Sequence, residues 1–163
     1  MEGLKRFTEY LNDIFVLFGG ISLILMMGIA CANMVLRLGG RPMSAAYELV
    51  GFLGALTVSL PLGYTQLKKT HIAVDILSQK FPVPVRRFVV GLSLLLGMGF
   101  FFVAAWKVGS YANTLRLSGE VSETLRMAYY PFTYGVAAAC ALMTFTLAVD
   151  FLVLLFSPKE DGT

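Results

Sequence analysis

Residues 14–36 read IFVLFGGISLILMMGIACANMVL, 23 positions in a row without a charge. A helix of that length rises about 35 Å, enough to cross the roughly 30 Å hydrocarbon core of a bilayer. Its apolar residues lie all round the helix, so no stripe is reserved for water. Three further charge-free runs follow. Leu49 to Leu67 has 19 residues, and Phe88 to Trp106 also has 19 and extends through Lys107 if that side chain snorkels. Met127 to Val149 has 23, with an apolar tail past Asp150 to Phe156. Together these runs predict crossings over 14–36, 49–67, 88–107 and 130–156. Membrane strands would instead show alternating runs of about 10 residues, which the chain lacks.

The composition agrees. Hydrophobic residues make up 57% of the 163 and charged residues 14%, against about 25% charged in a soluble domain. A soluble fold of this size leaves about a third of its surface in water, too much to be covered by so few polar groups. At roughly 20 residues per crossing, the roughly 93 apolar residues support four spans and would be exhausted by five. The prediction is an all-α integral membrane protein, a single membrane domain over 1–163 with four transmembrane helices.

The net charge of +3 reports topology here and does not suggest a nucleic-acid partner, because Lys and Arg gather in cytoplasmic loops. The side holding both termini and the middle loop carries eight cations, among them Lys68, Lys69, Lys80, Arg86 and Arg87. The other side carries five: Arg37, Arg41, Lys107, Arg116 and Arg126. Both termini are therefore expected in the cytoplasm. Trp106 and Tyr111, with Tyr129 and Tyr130, mark the outer interface. The acidic Glu2, Glu9 and Asp13 outnumber Lys5 and Arg6 ahead of the first run, the reverse of a signal peptide. Gly28 stands where a lipoprotein site before Cys31 would need an aliphatic residue, so the segment reads as a retained helix.

Between the second and third crossings, His71, Asp75, Ser78 and Gln79 share one arc of a helical wheel and Ile72, Ala73, Val74, Ile76 and Leu77 the other. This predicts a short interfacial amphipathic helix, stopped by Pro82 and Pro84. Arg116 to Arg126 reads as a hairpin tip. Pro61 lies inside the second crossing and should free the Thr57 carbonyl and kink that helix.

No catalytic motif is present: neither GxGxxG, nor a P-loop, nor HExxH. Cys31 and Cys140, each in an apolar run, suggest neither a disulfide nor a zinc site, and the sole histidine, His71, excludes bis-histidine haem ligation within the chain. His71 and Asp75 at i and i+4 offer half a metal site, but a surface contact is favoured. Glu48 is read either as a cation or proton site or as a structural carboxylate. In the structural reading it lies in the first turn of a helix capped by Ser44, or pairs with Arg37 or Arg41. The middles of the four runs offer Ser22, Thr57, Ser59 and Thr144 and no charge, and no matching broken helices mark a transport site.

Val35-Leu36-Arg37, Gly40-Arg41-Pro42, Tyr47-Glu48-Leu49 and Lys68-Lys69-Thr70-His71-Ile72-Ala73-Val74-Asp75 occur in that order. With Tyr129-Tyr130-Pro131 they resemble the small permease (Q) subunit of tripartite ATP-independent periplasmic (TRAP) transporters. The resemblance covers nearly the whole chain, and Arg37, Pro42, Glu48, His71 and Asp75 carry it as structural or partner-interface candidates. It implies no enzyme activity and no cofactor. The role it implies is that of a scaffold subunit in a bacterial inner membrane, working with a large permease (M) subunit and a periplasmic substrate-binding protein. Such systems import carboxylate-type solutes with an ion gradient, usually sodium. Because the chain stops at Thr163, the M subunit is expected as a separate chain. Two alternatives are a small four-helix exporter, which needs a carboxylate in its first crossing, and a redox-complex membrane anchor, which needs haem ligands.

Overall fold

The computed structural model describes residues 2–41, 43–68 and 83–156. It contains α1 (Glu2–Leu38), α2 (Ala46–Ser59), α3 (Leu62–Leu67), α4 (Val83–Ser118) and α5 (Tyr130–Phe156). The described residues form no strand, only an isolated bridge between Val121 and Ala128. Four stretches are long and apolar enough to cross a membrane: Arg6–Leu38, Ala46–Leu67, Phe88–Ser118 and Tyr130–Leu155. The four-helix membrane architecture expected from the sequence is the one observed. The expected interfacial helix, with His71 and Asp75, lies outside the described residues, as does Pro42.

Two helices outrun their apolar cores. The 37 residues of α1 and 36 of α4 rise about 55 Å each, well beyond the hydrocarbon thickness. The sequence reading ended the third helix at its outer aromatics, but α4 continues to Ser118. The reason is packing. Ala112 and Leu115, three residues apart on one face of the extension, are buried, while Asn113, Thr114, Arg116 and Leu117 are exposed.

Proline divides the second crossing. Leu60 N–H still donates to the Leu56 carbonyl at 3.0 Å, but Pro61 has no N–H to offer Thr57. The chain restarts as α3 with Thr65 N–H donating to the Pro61 carbonyl at 3.1 Å. The expected kink is a break between two helices.

α5 is the hub. It packs along α4 and touches α1, α2 and α3, and most of the buried apolar side chains belong to it, including Ala139, Cys140, Met143 and Leu147. Small residues bring α4 close: a Cβ on Gly97 would lie 3.5 Å from Leu147 Cδ1, and one on Gly109 4.0 Å from the Ala137 Cβ. Lacking a hydrophobic drive in lipid, membrane helices associate through such close van der Waals fits. On the α2 side, Leu56 Cδ2 fills the space over Gly135, and Phe52 stacks on Phe132 with centroids 4.5 Å apart.

Candidate functional site

Two polar clusters sit at opposite ends of the bundle. One joins the turn between α1 and α2 to the hairpin between α4 and α5. The turn begins where Gly40, at φ 72°, closes α1: Gly40 N–H donates to the Arg37 carbonyl and Arg41 N–H to the Leu36 carbonyl. This left-handed closure satisfies carbonyls at the helix end, and glycine accepts the conformation without steric cost. Asn33 Oδ1 then accepts the Met43 N–H at 2.9 Å and holds the turn against α1. The sequence reading made Ser44 the cap of α2. In the structure the cap position is Ala45, with no side-chain bond, and Ala46 N–H donates to the Met43 carbonyl.

Glu48, in the first turn of α2, reaches across to the hairpin. Its Oε2 accepts from Ser122 Oγ at 2.6 Å and from Leu125 N–H at 3.2 Å, and its Oε1 accepts from Thr124 N–H at 3.0 Å. A carboxylate is an acceptor on both oxygens, so one side chain serves three donors that the tight turn leaves over. The turn is closed by Ser122 N–H to the Met127 carbonyl and by Arg126 in the left-handed region at φ 51°. The suggested pairing of Glu48 with Arg37 or Arg41 is replaced by this clamp. Both arginines are exposed, where two solvated side chains gain little from an ion pair.

The second cluster lies where α1, α3 and α5 meet. Asn12 and Thr8 on α1 and Thr146 on α5 are fully buried. Asn12 Nδ2 donates to the Thr8 carbonyl at 2.8 Å and to Thr146 Oγ1 at 3.2 Å. Thr146 Oγ1 donates to the Leu142 carbonyl. Asn12 Oδ1 has no hydrogen-bond partner and occupies the space a side chain on Gly63 would take. One turn along α3, Gln66 Nε2 donates to Asp150 Oδ2 at 3.1 Å. Thr146 and Asp150 are i and i+4 on α5, and Gly63 and Gln66 are i and i+3 on α3, so each pair presents one face to the other.

Of the residues singled out from sequence, Glu48 bonds to the hairpin while Arg37 is exposed at the end of α1. Those the structure adds are Ser122, Asn12, Thr146, Gln66 and Asp150. The i, i+4 spacing of Thr8 with Asn12, and of Thr146 with Asp150, was the available signal. The mid-span hydroxyls mostly bond back to their own helices, Ser22 to the Phe18 carbonyl and Thr144 to the Cys140 carbonyl, both at 2.9 Å. Thr57 Oγ1 is buried without a partner. Among the described residues, no three of His, Cys, Asp and Glu come together as a metal site would need.

The family model of the tripartite ATP-independent periplasmic transporters, DctQ component, matches residues 26–157. That interval takes in the α1–α2 turn, the Glu48 clamp and the whole of α2 to α5. Comparison with curated proteins and with solved structures gives no match.

Proposed function

Because the chain belongs to the DctQ component family of the tripartite ATP-independent periplasmic transporters, a family of transporter components and not of enzymes, we propose that it is the stationary scaffold of such a transporter. In this reading it sits in a bacterial inner membrane with both termini cytoplasmic. A separate large permease subunit carries the substrate and ion sites, and a periplasmic binding protein delivers a carboxylate-type solute that enters with sodium. Pro42, His71 and Asp75 join Arg37 as contacts to that partner.

One observation supports the scaffold role above the rest: at both ends of the bundle polar side chains tie separate elements together. Asn12 reaches Thr146, Gln66 reaches Asp150, and Glu48 reaches the α4–α5 hairpin. A carrier site needs polar groups held ready for a solute at mid-membrane, commonly at paired broken helices. Among the described residues the break at Pro61 is closely packed, with Pro61 Cγ 3.0 Å from where a Cβ on Gly19 would lie. The test is copurification. Tagged chain coexpressed with the large permease subunit should bring that permease down one-to-one from mild detergent. Recovery of the chain by itself, with the permease stable and active without it, would remove the proposal.

A further inference from the structure

The register of α4 on α5 sets the depth of one charged side chain. A Cβ on Gly97 would lie 3.5 Å from Leu147 Cδ1, and one on Gly109 4.0 Å from the Ala137 Cβ. Between these two contacts the antiparallel register brings Lys107 level with Ala138. Ala138 is the midpoint of the charge-free run from Met127 to Val149, so Lys107 lies about 16 Å from either end of it. The second crossing agrees. Phe52 stacks on Phe132 and Leu56 reaches Gly135, which puts Val58, the midpoint of Leu49 to Leu67, close to the same level. At a helix end a lysine snorkels to water, but from this depth its four-carbon stem covers less than half the way. Lys107 is exposed and has no ion-pair partner among the described residues.

The exposed positions of α4 make two faces. Leu92, Leu95, Phe102 and Trp106 belong to one, which is apolar along this stretch. Leu96, Phe100, Val103, Lys107, Ser110 and Thr114 form the other, at alternating steps of four and three. That spacing is the seam along which two helices pack, and three of the six residues are polar. A lysine turned toward acyl chains at the centre of a bilayer is costly, and intramembrane charges face protein and pair there. A second copy of this chain does not supply the pair, because a twofold seam would set Lys107 against its own copy. Lipid suits the first face. The second calls for a helix that brings a carboxylate to the same depth.

Building on the scaffold reading, we infer that the Leu96–Thr114 seam of α4 receives a transmembrane helix of the large permease subunit, with Lys107 paired to an Asp or Glu of that helix. The two subunits, coproduced in membranes, test it with p-benzoylphenylalanine in place of Phe100 or Phe102, exposed residues on the two different faces. Irradiation should join position 100 to a permease helix that contains an acid, and position 102 to no permease helix. Lys107→Met should cut the permease recovered with the tagged chain about tenfold or more, and Lys107→Arg should retain it. In the chain alone Lys107→Met should not lower the melting temperature, which separates loss of the partner from loss of the fold. Should Lys107→Met not fold, the crosslinks still decide. Unsubstituted subunits that do not copurify would remove the scaffold reading and the seam with it. Subunits that copurify but crosslink only from position 102, through an acid-free helix, or from position 100 to a second copy of this chain would overturn the seam alone. So would recovery undiminished by Lys107→Met.

Discussion

Glu48 accepts three hydrogen bonds from a hairpin 74 to 77 residues further along the chain. An amide at this position keeps one acceptor and turns a donor toward N–H groups. Glu48→Gln should therefore lower the melting temperature and speed hydrogen exchange at the Thr124 and Leu125 amides, whereas Arg37→Gln, at an exposed site, should stay within about 0.5 kcal/mol of the parent. A melting temperature lowered as much in Arg37→Gln as in Glu48→Gln would restore the ion pair that the sequence suggested. Glu48 was legible as structural because an acid in a first turn has a local reason to be there. Its partners were not, since capping and i, i+4 rules reach only a few residues. Asn12 escaped notice because Asp13 ended the apolar run beside it. Its fit over Gly63 gives a second expectation: Gly63→Ala should cost about 1–3 kcal/mol by overpacking, and most of that cost should vanish in an Asn12→Ala background. Additive effects in the double variant would show that the two do not compete for the same space.

At the scale of elements, charge-free runs predicted the number of crossings but not where helices stop. Apolar composition reports on lipid, and helix ends report on neighbours. Arg116 in a polar stretch reads as loop, yet the buried face of Ala112 and Leu115 carries α4 through it. Single cysteines from position 111 to 117, in a background without Cys31 and Cys140, should label with helical periodicity, slow at 112 and 115 and fast at 113, 114, 116 and 117. Uniform fast labelling would return this stretch to a loop. Pro61 was easier to read, because a missing N–H is a local fact whatever surrounds it. What the sequence did not disclose was the packing around the break, where Pro61 meets Gly19 and Gly63 meets Asn12 and Thr146, residues of the first and last helices.

For the whole molecule, orientation and role are linked. The eight-to-five distribution of cations predicts that the 68–87 loop faces the cytoplasm. An impermeant thiol reagent added from the periplasmic side should then reach Ser118→Cys and not Ser78→Cys, and the opposite pattern would invert the protein. α1 and α4 each rise about 55 Å, and the bonds from Asn12, Gln66 and Glu48 that join separate elements are what the proposed scaffold role needs. The most direct test of that role is solute accumulation in proteoliposomes under a sodium gradient, with the chain alone, the permease alone, and both together with the binding protein. The scaffold account predicts uptake only in the complete mixture. Gradient-driven accumulation by this chain alone would contradict it.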